Sequence, residues 1–119
     1  QFILRYDPEH FAGVARDQVL PALWAEGVPC YGQFYVPIPE DPLFAMDAHT
    51  NPVARGDVGY SDRSFPVASR AAYQESIWLP HSLFLGGEDD VDELVAAFAK
   101  VQAGAAALRD ESAVERASK

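Results

Sequence analysis

Between Val36 and Phe65 the chain carries Pro37, Pro39, Pro42, Pro52, Gly56 and Gly59, with several aspartates among them. Proline has no backbone N–H to give to a ladder or a helix, and glycine loses the most chain entropy when it is fixed. No long regular element survives such a stretch. The chain is therefore split into two parts that must meet to form a core. A connection of this length is unusual inside a compact domain, where such loops serve a function or lie against another surface.

The first part begins with Phe2 to Tyr6, a short apolar and aromatic run closed by Asp7-Pro8, and reads as a first strand. From Arg16 to Glu26 the set Val19, Leu20, Leu23 and Trp24 follows a helical pattern, and Gly27 supplies a left-handed stop. Pro21 lies inside this helix and predicts a kink or an irregular first turn. Val28 to Phe34 is apolar and aromatic and reads as a second strand, confined at its start to a sheet edge by Pro29.

In the second part, Ser64-Phe65-Pro66 offers a cap and a first-turn proline for a short helix through Val67, Ala68, Ala71, Ala72 and Tyr73. Ser76 to Leu79 is a third strand ended by Pro80. A long helix follows Gly86-Gly87, with Val91, Leu94, Val95, Phe98, Val101, Ala105 and Leu108 at helical spacing. Glu88, Asp89, Asp90, Asp92 and Glu93 crowd its first turns, where the helix dipole favours negative charge, so they read as capping residues rather than a metal site. The apolar stripe fades after Leu108, which predicts a domain over 1–108 and a flexible tail over 109–119. The order implies an α/β chain of the α+β two-layer type, a small three-stranded sheet covered by helices on one face.

At 119 residues and 49% hydrophobic content, one core burying roughly two-thirds of the unfolded surface is expected. Eighteen acidic residues against nine basic ones give a net charge of -9, which argues against nucleic acid or an anionic membrane as partner. No apolar run approaches the roughly 20 residues of a membrane span, and the start lacks the flanks of a signal peptide, so a cytoplasmic chain is expected. The chain opens without Met inside a strand-like run, as a piece of a longer protein would. Cys30 has no partner cysteine and reads as a small buried hydrophobe.

Four segments in unbroken order carry a resemblance. Ala25-Glu26-Gly27-Val28-Pro29, then Pro66-Val67-Ala68-Ser69-Arg70-Ala71-Ala72-Tyr73-Gln74-Glu75, then Trp78-Leu79-Pro80-His81-Ser82-Leu83-Phe84-Leu85-Gly86, and the acid-headed helix from Glu88 to Val101 are similar to the C-terminal domain of the DegT/DnrJ/EryC1/StrS sugar aminotransferases. The likeness spans about Gln1 to Leu108 and is greatest to the branch acting on cyclitols and antibiotic precursors. It implies the small C-terminal domain of a fold-type-I aminotransferase that uses pyridoxal phosphate and acts on a keto sugar or cyclitol. The family's Schiff-base lysine and most cofactor contacts belong to a larger preceding domain, so the resemblance implies a missing catalytic domain as partner, a homodimeric parent, and no catalytic or cofactor-binding residue in this chain.

The residues agree with that division. A Schiff base needs an amine desolvated or otherwise tuned to be neutral. The chain has two lysines: Lys100, expected to face solvent between Phe98 and Val101, and Lys119 at the end of the tail. What the resemblance leaves to this domain is substrate shaping. In the family an aromatic residue, Pro-Leu, a His or Tyr and another Pro follow the second strand, the polar side chain lying near the sugar. Here the run is Tyr35-Val36-Pro37-Ile38-Pro39-Glu40-Asp41-Pro42-Leu43-Phe44. Pro39 stands at the polar position and cannot donate a hydrogen bond, so the substrate differs or Tyr35 or Glu40 takes over. Phe65 stands where many relatives have Cys, a packing change.

The candidate substrate-binding residues are thus Tyr31, Tyr35, Pro39 and His81. Tyr31, Phe34 and Tyr35 suit an aromatic wall equally with a packed strand. His81 matches a histidine of the resembling branch, and its alternative is a structural role. His49 with Asp47, Asp57 and Asp62 shows no ligand spacing for a metal, and His10 reads as solvent-facing. A second functional class stays open at this point: a free-standing, non-enzymatic binding or oligomerisation module of the same fold.

Overall fold

A computed structural model describes residues 1–44 and 64–117. His49, Asp47, Asp57, Asp62 and Lys119, and most of the long connection, lie outside the described residues. Strand β1 (Phe2–Arg5) pairs antiparallel with β2 (Ser76–Leu79), setting Phe2 opposite Leu79, Ile3 opposite Trp78, Leu4 opposite Ile77 and Arg5 opposite Ser76. Successive side chains of a strand point to opposite faces. Ile77 and Leu79 are accordingly buried, while Ile3 and Trp78 share the other face.

Helix α1 (Arg16–Ala25) presents Val19 and Leu23 to the buried face, with Leu20 partly buried beside them. It runs on through Pro21 and its first turn is regular, the N–H of Ala15 being taken by Gln18 Oε1 at 3.3 Å. The expected irregular turn is not formed. The helix ends where Gly27 adopts φ +85°, with the N–H of Val28 donating to Leu23 O (2.9 Å) and that of Gly27 to Trp24 O (3.0 Å). That pair of bonds satisfies the last carbonyls of the helix and needs a residue without a Cβ penalty.

The segment Val28 to Phe34 does not form the expected strand. One antiparallel bridge joins Tyr31 to Trp78, with Tyr31 N–H to Trp78 O at 3.0 Å and Trp78 N–H to Tyr31 O at 2.7 Å. Two residues further along, the register would set Pro29 opposite Pro80, and neither has an N–H to donate. In the other direction Ser76 is already engaged: its N–H donates to Ala71 O and its carbonyl accepts from Arg16. The ladder therefore stops after one pair, and the sheet has two strands plus a bridge rather than three strands.

Pro66–Arg70 forms α2, followed by a π-helical turn over Ala71–Glu75. The expected Ser64 cap is not made. Phe65 holds the cap position with no side-chain capping hydrogen bond, and Pro66 takes the first turn, where its missing N–H costs nothing. Helix α3 spans Glu88–Ala117 with Glu88, Asp89 and Asp90 in its first turn. Asp90 Oδ2 accepts from Gly87 N–H at 2.8 Å, a capping contact. Val101 and Ala105 are buried and Leu94, Ala97, Phe98 and Leu108 pack beside them, whereas Val95 is exposed. Helical backbone continues past Leu108, where the apolar stripe fades, to Ala117.

One core thus joins Ile77 and Leu79 of the sheet to Val19 and Leu23 of α1 and to Val101 and Ala105 of α3, with Tyr6, Val14, Val28 and Cys30 completing it. This is a mixed α+β arrangement with α1 and α3 on the buried sheet face. The opposite face is left for the segment after Tyr31.

Candidate functional site

The site begins with a buried charge. Arg16 is 5% exposed. Its Nη1 donates to the carbonyls of Ala72 and Ser76, each at 3.1 Å, while Nε and Nη2 bind Asp17 Oδ1 at 2.9 and 2.8 Å. In the π-helical turn Ser76 N–H reaches back to Ala71 O, so Ala72 O is released from the helical ladder. Arg16 fills that vacancy. A guanidinium can stay buried only when its donors are satisfied in this way.

Gly32 lies against this guanidinium. A Cβ there would stand 2.8 Å from Arg16 Cζ, so the chain passes close to Arg16 only because the residue is glycine. Ser76 Oγ donates to Gly32 O at 3.1 Å, fixing the turn that carries the next residues across the sheet face. Phe34 then stacks on Trp78 (centroids 5.2 Å, 25°), and Tyr35 meets both Phe34 (4.7 Å, 77°) and Trp78 (5.8 Å, 75°) edge-on. Offset and edge-to-face pairs of this kind are the favoured aromatic geometries.

Beyond the aromatic cluster, buried Pro37 accepts from Glu40 N–H (2.8 Å) and a 3-10 turn forms over Ile38–Glu40. Glu40 ties this turn to the helical side: Ser69 Oγ donates to its Oε1 at 2.9 Å and Tyr73 O–H to its Oε2. The bond to Glu40 pushes the Tyr73 hydroxyl pKa up, because the neutral form is the donor. Asp41 follows, half-buried, with Oδ1 accepting from Leu43 N–H at 2.9 Å.

These elements enclose an open cleft of about 840 Å³ between the Tyr35–Asp41 segment, α2 and the Ile3/Trp78 face of the sheet. Its walls are mostly apolar, from Ile3, Tyr35, Ile38, Pro39, Phe65 and Trp78, with Asp41 among them. Such a concave, largely apolar surface with a few polar groups is the usual form of a small-molecule site.

Of the candidate residues, Tyr35 and Pro39 come together in this cleft. Tyr35 is 66% exposed, leaving much of its ring open to a ligand. Tyr31 stands outside the cleft lining, half-exposed, its ring edge-on to Trp24 (5.9 Å, 78°). His81 opens the 3-10 turn His81–Phe84, exposed, and is not part of the cleft either. Glu40, a candidate replacement for the polar contact, has both oxygens occupied by Ser69 and Tyr73. Reading by sequence missed Trp78 and Ile3 as cleft residues. The alternation of β2 held the signal, since burial of Ile77 and Leu79 obliges Trp78 to face the other way.

Two other groups take their expected places. Cys30 is buried with its Sγ 3.8 Å from Leu20 O, and burial pushes the thiol pKa up to about 11, the behaviour of an inert structural cysteine. Lys100 is 69% exposed and donates to Glu26 Oε2 at 2.6 Å. A solvated, ion-paired ammonium does not fit a Schiff-base site, which requires a neutral amine. No Lys, Arg or His lines the cleft among the described residues.

Comparison with curated proteins gives three relatives assigned provisionally as L-glutamine:3-amino-2,3-dideoxy-scyllo-inosose aminotransferase. Identity is 47% over 114 residues to the protein of Streptoalloteichus tenebrarius, 40% over 117 to that of Streptomyces kanamyceticus and 36% over 114 to that of Micromonospora echinospora. By name, the relatives are aminotransferases. The matches cover 92%, 94% and 92% of this chain but 27%, 28% and 27% of the relatives, so the chain spans little more than a quarter of their length. No family model matches the chain. Among the described residues, no helix is long and apolar enough to cross a membrane.

Proposed function

We propose that this chain is the small C-terminal domain of a pyridoxal-phosphate-dependent aminotransferase of the DegT/DnrJ/EryC1/StrS family, acting on a keto cyclitol. The observation that carries the reading is the 47% identity that extends over 92% of this chain but only 27% of an aminotransferase. A quarter-length match to a larger enzyme is what a structural domain of that enzyme gives.

In this reading the cofactor is held by the remainder of the parent protein. This domain contributes shape: the Tyr35–Asp41 segment and Trp78 form one wall against which a substrate ring is positioned, and closure over the parent's reaction centre excludes water. Positioning alone accounts for large rate effects in enzymes. The parent is a homodimer of the cytoplasm in this reading, and Tyr31 and His81, which lie outside the cleft, serve its domain or subunit contacts.

The test is transamination from L-glutamine onto a keto cyclitol, measured for the full-length parent and for the 119-residue chain. Turnover by the parent and none by the chain is the expected pair of results. Turnover by the purified chain, or a parent inert towards every keto cyclitol and keto sugar, would overturn the proposal.

A further inference from the structure

The cleft has a charge signature as well as a shape. Its walls present the aromatic rings of Tyr35 and Trp78, and Asp41 is the one charged residue lining it among the described residues. Neighbouring Glu40 is committed to Ser69 and Tyr73. Asp41 differs: Oδ1 accepts from Leu43 N–H, and Oδ2 accepts no hydrogen bond from the described residues. The Trp78 indole N–H and the Tyr35 hydroxyl are likewise uncommitted among them. Aromatic faces attract cations through the ring quadrupole, and a carboxylate beside them adds a charge-assisted hydrogen bond. Among the described residues a phosphate brought to the same walls would meet a carboxylate and no cation.

Resting on the function proposed above, we infer that the cleft binds a cyclitol bearing a protonated amine and that Asp41 is the specificity-determining residue that reads this ammonium. An aliphatic amine is an ammonium ion at neutral pH. In the cleft it lies over the Tyr35 and Trp78 rings with its N–H groups directed to Asp41 Oδ2, while ring hydroxyls take the indole N–H and the phenol. The relatives' names include an amino group on the ring ketone, which is the same chemistry.

The experiment uses the full-length parent enzyme with L-glutamine as donor and three ketone probes: an amino-scyllo-inosose, scyllo-inosose without the amine, and a nucleotide-linked keto sugar. The wild-type enzyme is expected to prefer the aminated ketone in kcat/KM. Asp41→Asn keeps an Oδ1 acceptor for Leu43 N–H but removes the charge. It is expected to lower kcat/KM for the aminated ketone about ten- to hundredfold through KM, the range of a lost charge-assisted bond, and so to collapse the preference. Asp41→Glu is expected to restore part of it. The inference is overturned if Asp41→Asn keeps the preference, if it lowers both cyclitols equally as a merely structural change would, or if the nucleotide-linked sugar is the best substrate. Those outcomes leave the aminotransferase reading standing. Absence of any turnover by the wild-type enzyme would instead remove the reading itself.

Discussion

At the scale of single residues, the contact between Gly32 and Arg16 decides how the chain reaches the site. Gly32→Ala would drive a methyl to 2.8 Å from the guanidinium carbon and displace Arg16 from the carbonyls of Ala72 and Ser76. A stability loss of about 2–4 kcal/mol is expected, the cost of leaving buried charged and polar partners unsatisfied. Gly87→Ala, with open space at the Cβ, is the control and should change the urea midpoint little. A silent Gly32→Ala would show that Arg16 is not what fixes this turn. Alkaline pH probes the same core. Burial raises Cys30 from 9.0 to about 11, and burial, then Asp7, raise Tyr6 from 10.0 to about 12, with the Tyr6 hydroxyl donating to Val14 O at 2.6 Å. Both groups fold in their neutral form, so their stabilisation is complete below the unfolded values and is lost as pH rises through the folded ones. Stability measured by denaturant titration should hold to about pH 9 and then fall towards pH 12, with a smaller fall in Tyr6→Phe. The inward Cys30 was legible from composition. Arg16 was not, because a buried arginine depends on carbonyls supplied by residues far along the chain.

At the scale of elements, local pattern located β1, α1, β2 and the start of α3 and failed at the segment Val28 to Phe34. Its apolar and aromatic residues suit a strand, but a ladder needs donors on both partners, and the partner opposite Pro29 is Pro80. That conflict exists only once the register is known. Replacing both, as Pro29→Val with Pro80→Val, should extend the bridge into a short strand and add slowly exchanging amides at 29 and 80 in hydrogen-exchange NMR. Amides that exchange as fast as those of a loop would show that proline is not what ends the ladder. The π-helical turn after α2 was equally illegible: nothing in Ala71 to Glu75 demands it, and its stabilisation comes from Arg16. Pro21 lies within a continuous helix, α1, whose other contacts bury Val19 and Leu23.

At the scale of the whole molecule, α1 and α3 cover one face of the sheet, and an aromatic cleft walled by the Tyr35–Asp41 segment and α2 occupies the other. The proline-rich run announced this cleft without revealing its second wall. Tyr35 and Pro39 were found because their segment resembles a substrate-facing one, while Ile3 and Trp78 came from strand pairing between the two ends of the described core. In the proposed reading the amine that carries the cofactor lies outside these 119 residues. Borohydride reduction of the full-length parent, followed by peptide mapping of the pyridoxyl label, tests it most directly. The label should fall on a lysine in the part of the parent beyond this chain; a pyridoxyl group on Lys100 would mean that this chain carries the cofactor itself.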